Sequence, residues 1–244
     1  MPGNETVVFL PGLNNSSSVW RQVIEALPAG IGGRAVDLPL LEDIDSIADT
    51  VVADLPEKFV LVGHSFGGYV TLSALERHPD RIRGIVLVNS SCRADNDQQR
   101  STRIARIEQL TPENYEQIAM SVVDVSYHQD SIGPGAASAE RLLAERRSML
   151  REYGFERFVA HSRAAAHRPD RTDVLRTATA PVLVVAGDDD RVIPTPDQQA
   201  MALDVGASMR VLARAGHMLP AEQPDALADV LAEWLQKHSS ATAH

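Results

Sequence analysis

The feature that most constrains the fold is an apolar run that ends in a turn of glycine and serine. The stretch 60–69 is Val-Leu-Val-Gly-His-Ser-Phe-Gly-Gly-Tyr, with Gly63, Ser65 and Gly67 in the pattern G-x-S-x-G. A serine at the tip of a turn between a buried strand and a helix has strained backbone and projects its hydroxyl outward, so its neighbours must be small. The stretch therefore predicts a strand–turn–helix unit with Ser65 as a candidate nucleophile.

Short apolar runs alternate with amphipathic helices along much of the remaining chain. This alternation predicts an α/β fold, with a mostly parallel sheet of about six strands and helices on both of its faces. A length of 244 residues fits one domain with a large core. The predicted strands are residues 6–10, 34–38, 58–62, 83–89, 181–186 and 209–212.

The segment between the fourth and fifth predicted strands has a different character. Residues 93–171 carry no strand signal and are rich in Arg, Glu, Gln, Ala and His. We interpret this segment as a helical lid inserted into one core made of residues 1–92 and 172–244. An insertion after the strand that ends near Asn89 can cover the carboxyl edge of the sheet, where open α/β sheets bind ligands. The helices predicted in it are 98–110, 112–123, 138–151 and 155–167.

A candidate base for the serine follows the last predicted strand. A serine hydroxyl is a poor nucleophile near neutral pH, and it needs a base within hydrogen-bond reach and a third group that orients the base. Of the eight histidines, only His217 combines a position beyond a strand, a preceding glycine and a place late in the chain. A single histidine is more often structural than catalytic, so His217 depends on the other candidates for its support.

An acidic loop follows the fifth predicted strand. Residues 188–190 are three successive aspartates after Gly187. A loop at the carboxyl end of a parallel strand is a suitable place for a buried carboxylate that orients the base. The same aspartates would also suit a solvated turn or the cap of the following helix, and we expect at least one of them to have that role.

Four segments together resemble the α/β-hydrolase fold superfamily of serine hydrolases, over nearly the whole chain. They are residues 9–13, 63–68, 187–190 with Pro194, and 216–217. The resemblance implies that Ser65, Asp190 and His217 form a catalytic triad, since the acid of this family is usually the third residue after the glycine. It also implies an oxyanion hole formed by the backbone N–H groups of Leu13 and Phe66.

The chain departs from the family pattern in two places. Pro11 stands where the family usually has a histidine, whose side chain is supportive rather than catalytic. The chain also begins at what is usually the third strand of the family. The first two family strands are therefore expected to be missing.

The resemblance implies a serine hydrolase that cleaves a carboxylic ester of a small or medium-sized substrate through an acyl-enzyme, with no cofactor and no metal. Thioesters, lactones and carbon–carbon bonds are cleaved with the same triad. A non-hydrolytic lyase and a small-molecule receptor occur on the same fold. Met120, Tyr127 and Met218 are candidates for the substrate pocket, and the arginines of residues 93–171 either recognise an anionic substrate group or form solvated helix faces.

Bulk properties limit the partners. The formal net charge of -10 argues against nucleic acid and against anionic membrane surfaces. The single cysteine, Cys92, excludes an internal disulfide and a CxxC metal site. We expect a cytoplasmic protein, monomeric or homodimeric, that acts on a small molecule.

Overall fold

The computed structural model describes residues 6–239 and contains one sheet of six strands. Every strand pair is parallel, and the strand order is β2-β1-β3-β4-β5-β6. The prediction of a parallel sheet of about six strands is confirmed. The strands are β1 (Thr6–Leu10), β2 (Gly32–Ala35), β3 (Phe59–His64), β4 (Ile82–Val88), β5 (Val182–Gly187) and β6 (Ser208–Leu212).

The second strand lies earlier in the chain than predicted. The prediction treated Gly32 and Gly33 as a break before the strand, yet both residues pair with β1. A Cβ added at Gly33 would lie 2.9 Å from the side chain of Ile24. The glycine is therefore present because the preceding helix packs directly against this edge strand, which is a use of glycine inside a strand.

Side chains of successive strand residues point to opposite faces of the sheet, and each face has its own core. Val8 belongs to the core cluster on one face, whereas Val7 and Phe9 belong to the other. The first face is covered by α2 (Ile44–Ala53), α3 (Phe66–Arg77), α10 (Thr172–Arg176) and α11 (Thr195–Val205). The second face is covered by α1 (Arg21–Ala26) and α13 (Pro224–Ser239).

The regular secondary structure of the segment 93–171 is helical and includes no strand, as predicted. Two of its short helices, α6 (Val123–Ser126) and α7 (Gln129–Ile132), were not predicted. We call residues 93–171 the lid, and their role as a lid separate from the core remains a prediction. Its helices are α4 (Asp97–Glu108), α5 (Tyr115–Met120), α6 (Val123–Ser126), α7 (Gln129–Ile132), α8 (Ala139–Tyr153) and α9 (Phe155–Ala166).

Two buried arginines attach the end of this segment to the core. Arg171 forms ion pairs with Glu76 at 2.9 Å and with Asp45 at 2.5 Å. Arg168 pairs with Asp95 at 2.7 Å, and its guanidinium lies over the ring of Tyr69. Because each buried guanidinium faces a carboxylate, the cost of removing it from water is offset by the pairing.

The short helix α12 (Leu219–Glu222) follows β6 and was not predicted. None of the helices in residues 6–239 is long and apolar enough to cross a bilayer. The last helix, α13, continues to Ser239, the last residue that the structure describes.

Candidate active site

Ser65 lies at the junction of β3 and α3 in a strained backbone conformation. Its φ is 50° and its ψ is −114°, a region that non-glycine residues rarely adopt. The Ser65 N–H donates to the carbonyl of Val88 at 3.0 Å, which ties the turn to β4. A Cβ at Gly63 would lie 2.5 Å from the Gly67 carbonyl, and a Cβ at Gly67 would collide with the backbone of Leu10. Only glycine at both positions permits this turn.

His217 reaches Ser65 from the loop after β6. The two atoms Ser65 Oγ and His217 Nε2 are 3.0 Å apart. On the other side of the ring, Nδ1 lies 3.0 Å from Asp190 Oδ2 and 3.1 Å from Asp190 Oδ1. Because a carboxylate only accepts, Nδ1 carries the proton and Nε2 is left to accept from the serine hydroxyl.

Asp190 is the aspartate of the acidic loop that contacts His217. Its carboxylate is buried and accepts from the backbone N–H groups of Val192 and Ile193, each at 2.9 Å, and from Gln198 Nε2 at 3.0 Å. Burial would raise the pKa of Asp190, but the charge and hydrogen bond of His217 and these backbone donors outweigh it and lower the pKa. The carboxylate is therefore held in its charged form.

The other two aspartates of the loop contact neighbouring loop residues instead of His217. Asp188 accepts from the Ala215 N–H at 3.1 Å, and Asp189 pairs with Arg191 at 3.2 Å. These contacts match the expectation that part of the acidic loop forms a solvated turn.

The two predicted oxyanion donors belong to the residue after the serine and to the loop after β1. Phe66 is the first residue of α3, so its N–H has no acceptor within the helix. Leu13 lies in the loop after β1, and its carbonyl accepts from Asn15 Nδ2 at 3.0 Å. The loop around Leu13 passes close to the serine, since a Cβ added at Gly12 would lie 3.1 Å from Ser65 Cβ.

Lid helices hold the loop that contains Leu13. Asn14 has a left-handed conformation with φ of 62°. Its side-chain oxygen accepts from the Tyr115 hydroxyl at 2.7 Å, and its carbonyl accepts from Arg146 Nη1 at 3.0 Å. The same Nη1 atom donates to Asn15 Oδ1 at 3.0 Å. The conformation of this loop thus depends on residues of α5 and α8.

Asn89 is a residue of the site that the sequence analysis missed. It is fully buried, directly follows β4 and has a φ of 46°. Its side-chain nitrogen donates to the carbonyls of Gly216 and His217 at 2.9 Å, and its side-chain oxygen accepts from the Gly187 N–H at 2.9 Å. One side chain therefore fixes the loop that contains Gly216 and His217, the histidine loop, to the ends of β4 and β5. An asparagine at the end of a buried strand was the available signal, because asparagine tolerates the left-handed conformation.

His64 is hydrogen-bonded to the backbone of the histidine loop. Its Nε2–H donates to the His217 carbonyl at 2.8 Å, and its side chain is fully buried. Burial, followed by the nearby charge of His217, lowers the pKa of His64 to about 3. The imidazole of His64 is consequently neutral at physiological pH.

A lid histidine contacts the residue that follows the serine. The ring of His161 stacks on Phe66 with ring centroids 4.8 Å apart. Its Nε2–H donates to the Pro39 carbonyl at 2.7 Å, while Nδ1 accepts from the Tyr153 hydroxyl at 2.5 Å. Burial lowers the pKa of His161 to about 4. The neutral ring joins α9 to the loop after β2 and to the start of α3.

The three predicted pocket residues lie together. Tyr127 and Met218 are buried members of one apolar cluster, and the partly buried Met120 packs against it. The Met218 N–H donates to the Ser126 carbonyl at 3.0 Å, which joins the histidine loop to α6. That these side chains contact a substrate remains a prediction.

Two surface clefts of the described residues do not include Ser65. One, of about 550 Å³, is lined by Asp45, Asp49, Glu76, Arg77 and His78, and another of about 220 Å³ lies between α8 and α12. Within residues 6–239, no three His, Cys, Asp or Glu side chains are grouped so that they could hold a metal ion.

The sheet has six parallel strands, and a strained serine follows β3. A histidine and an aspartate that contact each other lie on the loops after β6 and β5. This combination is typical of one class of hydrolytic enzymes. Residues 7–230 match the model of the alpha/beta hydrolase family. The chain belongs to this family, and the protein is an enzyme.

Known proteins similar to this chain support the family over its whole length. A putative carbamate hydrolase RutD of Rhizobium rhizogenes is 27% identical, covering 98% of this chain and 95% of the relative. A 2-succinyl-6-hydroxy-2,4-cyclohexadiene-1-carboxylate synthase of Salmonella arizonae is also 27% identical, covering 97% of both. Among solved structures, an esterase of Thermogutta terrifontis aligns with a TM-score of 0.86 at 24% identity, covering 96% of this chain and 90% of that one. This last similarity concerns the fold.

Proposed function

We propose that the protein is a serine esterase that hydrolyses a carboxylic ester of a small or medium-sized substrate through an acyl-enzyme. The observation that carries the proposal is the continuous chain from Ser65 Oγ through His217 to Asp190, with contacts of 3.0 Å at both ends of the imidazole. A serine hydroxyl, a base and a buried orienting carboxylate in this arrangement are the parts that nucleophilic acyl transfer requires.

In the proposed cycle, the Ser65 hydroxyl attacks the ester carbonyl and His217 Nε2 takes its proton. Asp190 keeps the Nδ1 proton in place and stabilises the imidazolium that forms. The N–H groups of Leu13 and Phe66 donate to the oxyanion of the tetrahedral intermediate, with each donor contributing about 3 kcal/mol. His217 then protonates the leaving alkoxide, and a water molecule activated by the same base hydrolyses the acyl-enzyme.

An ester is the preferred substrate class because esterases are prominent among the similar proteins. Pimeloyl-[acyl-carrier protein] methyl ester esterase of Vibrio campbellii is 36% identical over 35% of this chain. The names of other relatives include a carbamate hydrolase and a carboxylate synthase, whose reactions are different. Lactones, thioesters and carbon–carbon substrates therefore belong in the same activity panel.

A fluorophosphonate probe and a series of p-nitrophenyl esters of increasing acyl length test the proposal. We expect the probe to label Ser65 and Ser65→Ala to lose hydrolysis of every ester, whereas Ser101→Ala, at an exposed serine of α4, should behave as the wild type. The length optimum reports the size of the acyl pocket. Labelling at another serine, or hydrolysis that survives in Ser65→Ala, would refute the assignment. Tight binding without repeated turnover would indicate a receptor.

A further inference from the structure

One buried arginine of the lid has no acidic partner. Arg168 pairs with Asp95 and Arg171 with Asp45, as buried guanidinium groups usually do. Arg146 is equally buried, with 5% of its surface exposed, yet no carboxylate of the described residues lies within ion-pair distance of it. An unpaired buried charge costs several kcal/mol, so a sequence that keeps one has a use for it.

The hydrogen bonds of Arg146 occupy only one end of its guanidinium. Nη1 donates to the Asn14 carbonyl and to Asn15 Oδ1. Nε is buried and has no hydrogen-bond partner among the described residues. The edge formed by Nε and Nη2 is one of the two edges with which a guanidinium binds a carboxylate through two parallel hydrogen bonds.

A second donor near Arg146 also has no partner. The hydroxyl of Tyr127 is buried and unpaired among residues 6–239. Tyr127 packs in one apolar cluster with Leu142 and Met149 of α8, the helix that carries Arg146. Tyr127 packs beside the histidine loop, since a Cβ at Gly216 would lie 2.8 Å from the Tyr127 backbone. Two buried donors without acceptors, one charged and one neutral, are costly together and suit an anionic oxygen acceptor.

Arg146 lies close to the loop beside Ser65. Arg146 contacts Asn14 directly, and Asn14 follows Leu13 in the loop beside Ser65. Since consecutive Cα atoms are about 3.8 Å apart, the guanidinium lies on the order of 10 Å or less from the Leu13 N–H. A group bound there would be separated from an ester carbonyl at Ser65 by a short chain.

We propose that Arg146 and Tyr127 bind a carboxylate of the substrate, so that the preferred esters are half-esters of short dicarboxylic acids. This inference rests on the proposed esterase function and adds the substrate class. The two carboxylate oxygens accept from Nε and Nη2 of Arg146, and the Tyr127 hydroxyl donates to one of them. The carboxylate then neutralises a charge that the protein leaves unpaired, and Arg146 determines specificity without contact to the scissile bond.

The test compares two substrates that differ in charge but hardly in shape. Monomethyl esters of succinic, glutaric and adipic acid are compared with the same esters whose free carboxylate is replaced by a carboxamide. We expect the wild type to prefer the half-ester of the best length by at least about tenfold in kcat/KM, which corresponds to about 1.4 kcal/mol. Arg146→Met should bring this ratio to about one, and Tyr127→Phe should lower it severalfold.

The controls separate specificity from structure. Arg147→Met makes the same change of charge one residue further along α8 at an exposed position, and it should keep the wild-type ratio. Because Arg146 also holds Asn14 and Asn15, Arg146→Met is expected to lower both activities, and only the ratio reports on the carboxylate. Tyr127→Phe supplies the answer if Arg146→Met does not fold.

The outcomes distinguish this inference from the proposed function. A wild-type ratio near one, or a ratio that is unchanged in both variants, overturns the carboxylate site while Ser65-dependent hydrolysis stands. If no ester is cleaved, the esterase proposal fails, and calorimetric binding of glutarate against its monoamide decides the inference separately. Tighter binding of glutarate that is lost in Arg146→Met supports the site, whereas equal binding refutes it.

Discussion

Acid should destabilise this protein through His64, a buried histidine that stays neutral in the folded state. Burial and the charge of His217 lower its folded pKa to about 3 from the ordinary value of 6.5. In the unfolded chain the ring takes up a proton as the pH falls below 6.5, while in the folded protein it does not. The unfolded state therefore binds more protons in this range, and stability is lost as the pH falls from 6.5 toward 3.

The size of the effect follows from the two pKa values. At pH 4.5 the unfolded ring is two pH units below its pKa, and at 1.36 kcal/mol per unit this amounts to about 2.7 kcal/mol. The result depends little on the folded value, provided that it stays below the measuring pH. His64 faces the titratable or charged groups of His217, Asp190 and Arg146, and these groups are present in wild type and variant alike.

Urea unfolding of wild type and His64→Gln at pH 7.5 and pH 4.5 measures the difference. We expect the fall in unfolding free energy between the two pH values to be about 2.7 kcal/mol smaller in the variant. His167→Gln, at an exposed histidine, is the matched control and should retain the wild-type pH dependence. Equal pH dependence in wild type and His64→Gln would show that the ring titrates in the folded state and would refute the reasoning.

Three further substitutions test the site itself. Asp190→Asn should lower kcat by about 10³–10⁴ because the correct tautomer of His217 is lost, while Asp188→Asn should change kcat little. The measurement is p-nitrophenyl ester kinetics, and a larger loss in Asp188→Asn would reverse the assignment. Asn89→Leu removes three buried hydrogen bonds. Because this displaces His217, it should reduce kcat more than it changes KM. A change in KM alone would contradict this expectation. Gly67→Ala should destabilise the fold by about 1–3 kcal/mol because its methyl group meets the backbone of Leu10, and a thermal unfolding midpoint equal to wild type would count against it.

The parallel sheet and the serine turn could be predicted because they depend on local sequence. β1 occupies Thr6–Leu10 as predicted, since its apolar run ends at a proline–glycine pair. The Ser65 turn needs glycine at positions 63 and 67, where neighbouring backbone atoms leave no space for a Cβ. The G-x-S-x-G pattern therefore predicts the geometry of the turn. The boundaries of β3 to β6 moved by at most two residues, whereas the start of β2 moved by two and its end by three. β2 moved for a reason outside the strand, because Ile24 of α1 packs on Gly33.

The supporting residues of the site could not be predicted because their roles depend on segments far apart in the sequence. Asn89 joins the ends of β4 and β5 to the His217 loop, and no local pattern encodes which carbonyls its amide meets. Arg146 is one of twelve arginines in residues 93–171, of which six are exposed, and nothing in the local sequence distinguishes it. Its burial follows from the packing of α8 on the loop after β1, which only the tertiary structure defines.

The lid and the loop that contains Leu13 are joined by hydrogen bonds. Asn14 receives one bond from Tyr115 of α5 and one from Arg146 of α8, and Asn15 receives another from Arg146. A displacement of α8 away from the core must break the two bonds of Arg146 and release the neighbouring Leu13. In the proposed mechanism, Arg146 therefore serves both substrate selection and the geometry of the oxyanion hole. A lid transplanted from a relative without the equivalent of Arg146 would change the rate of the acyl-transfer step as well as the choice of substrate.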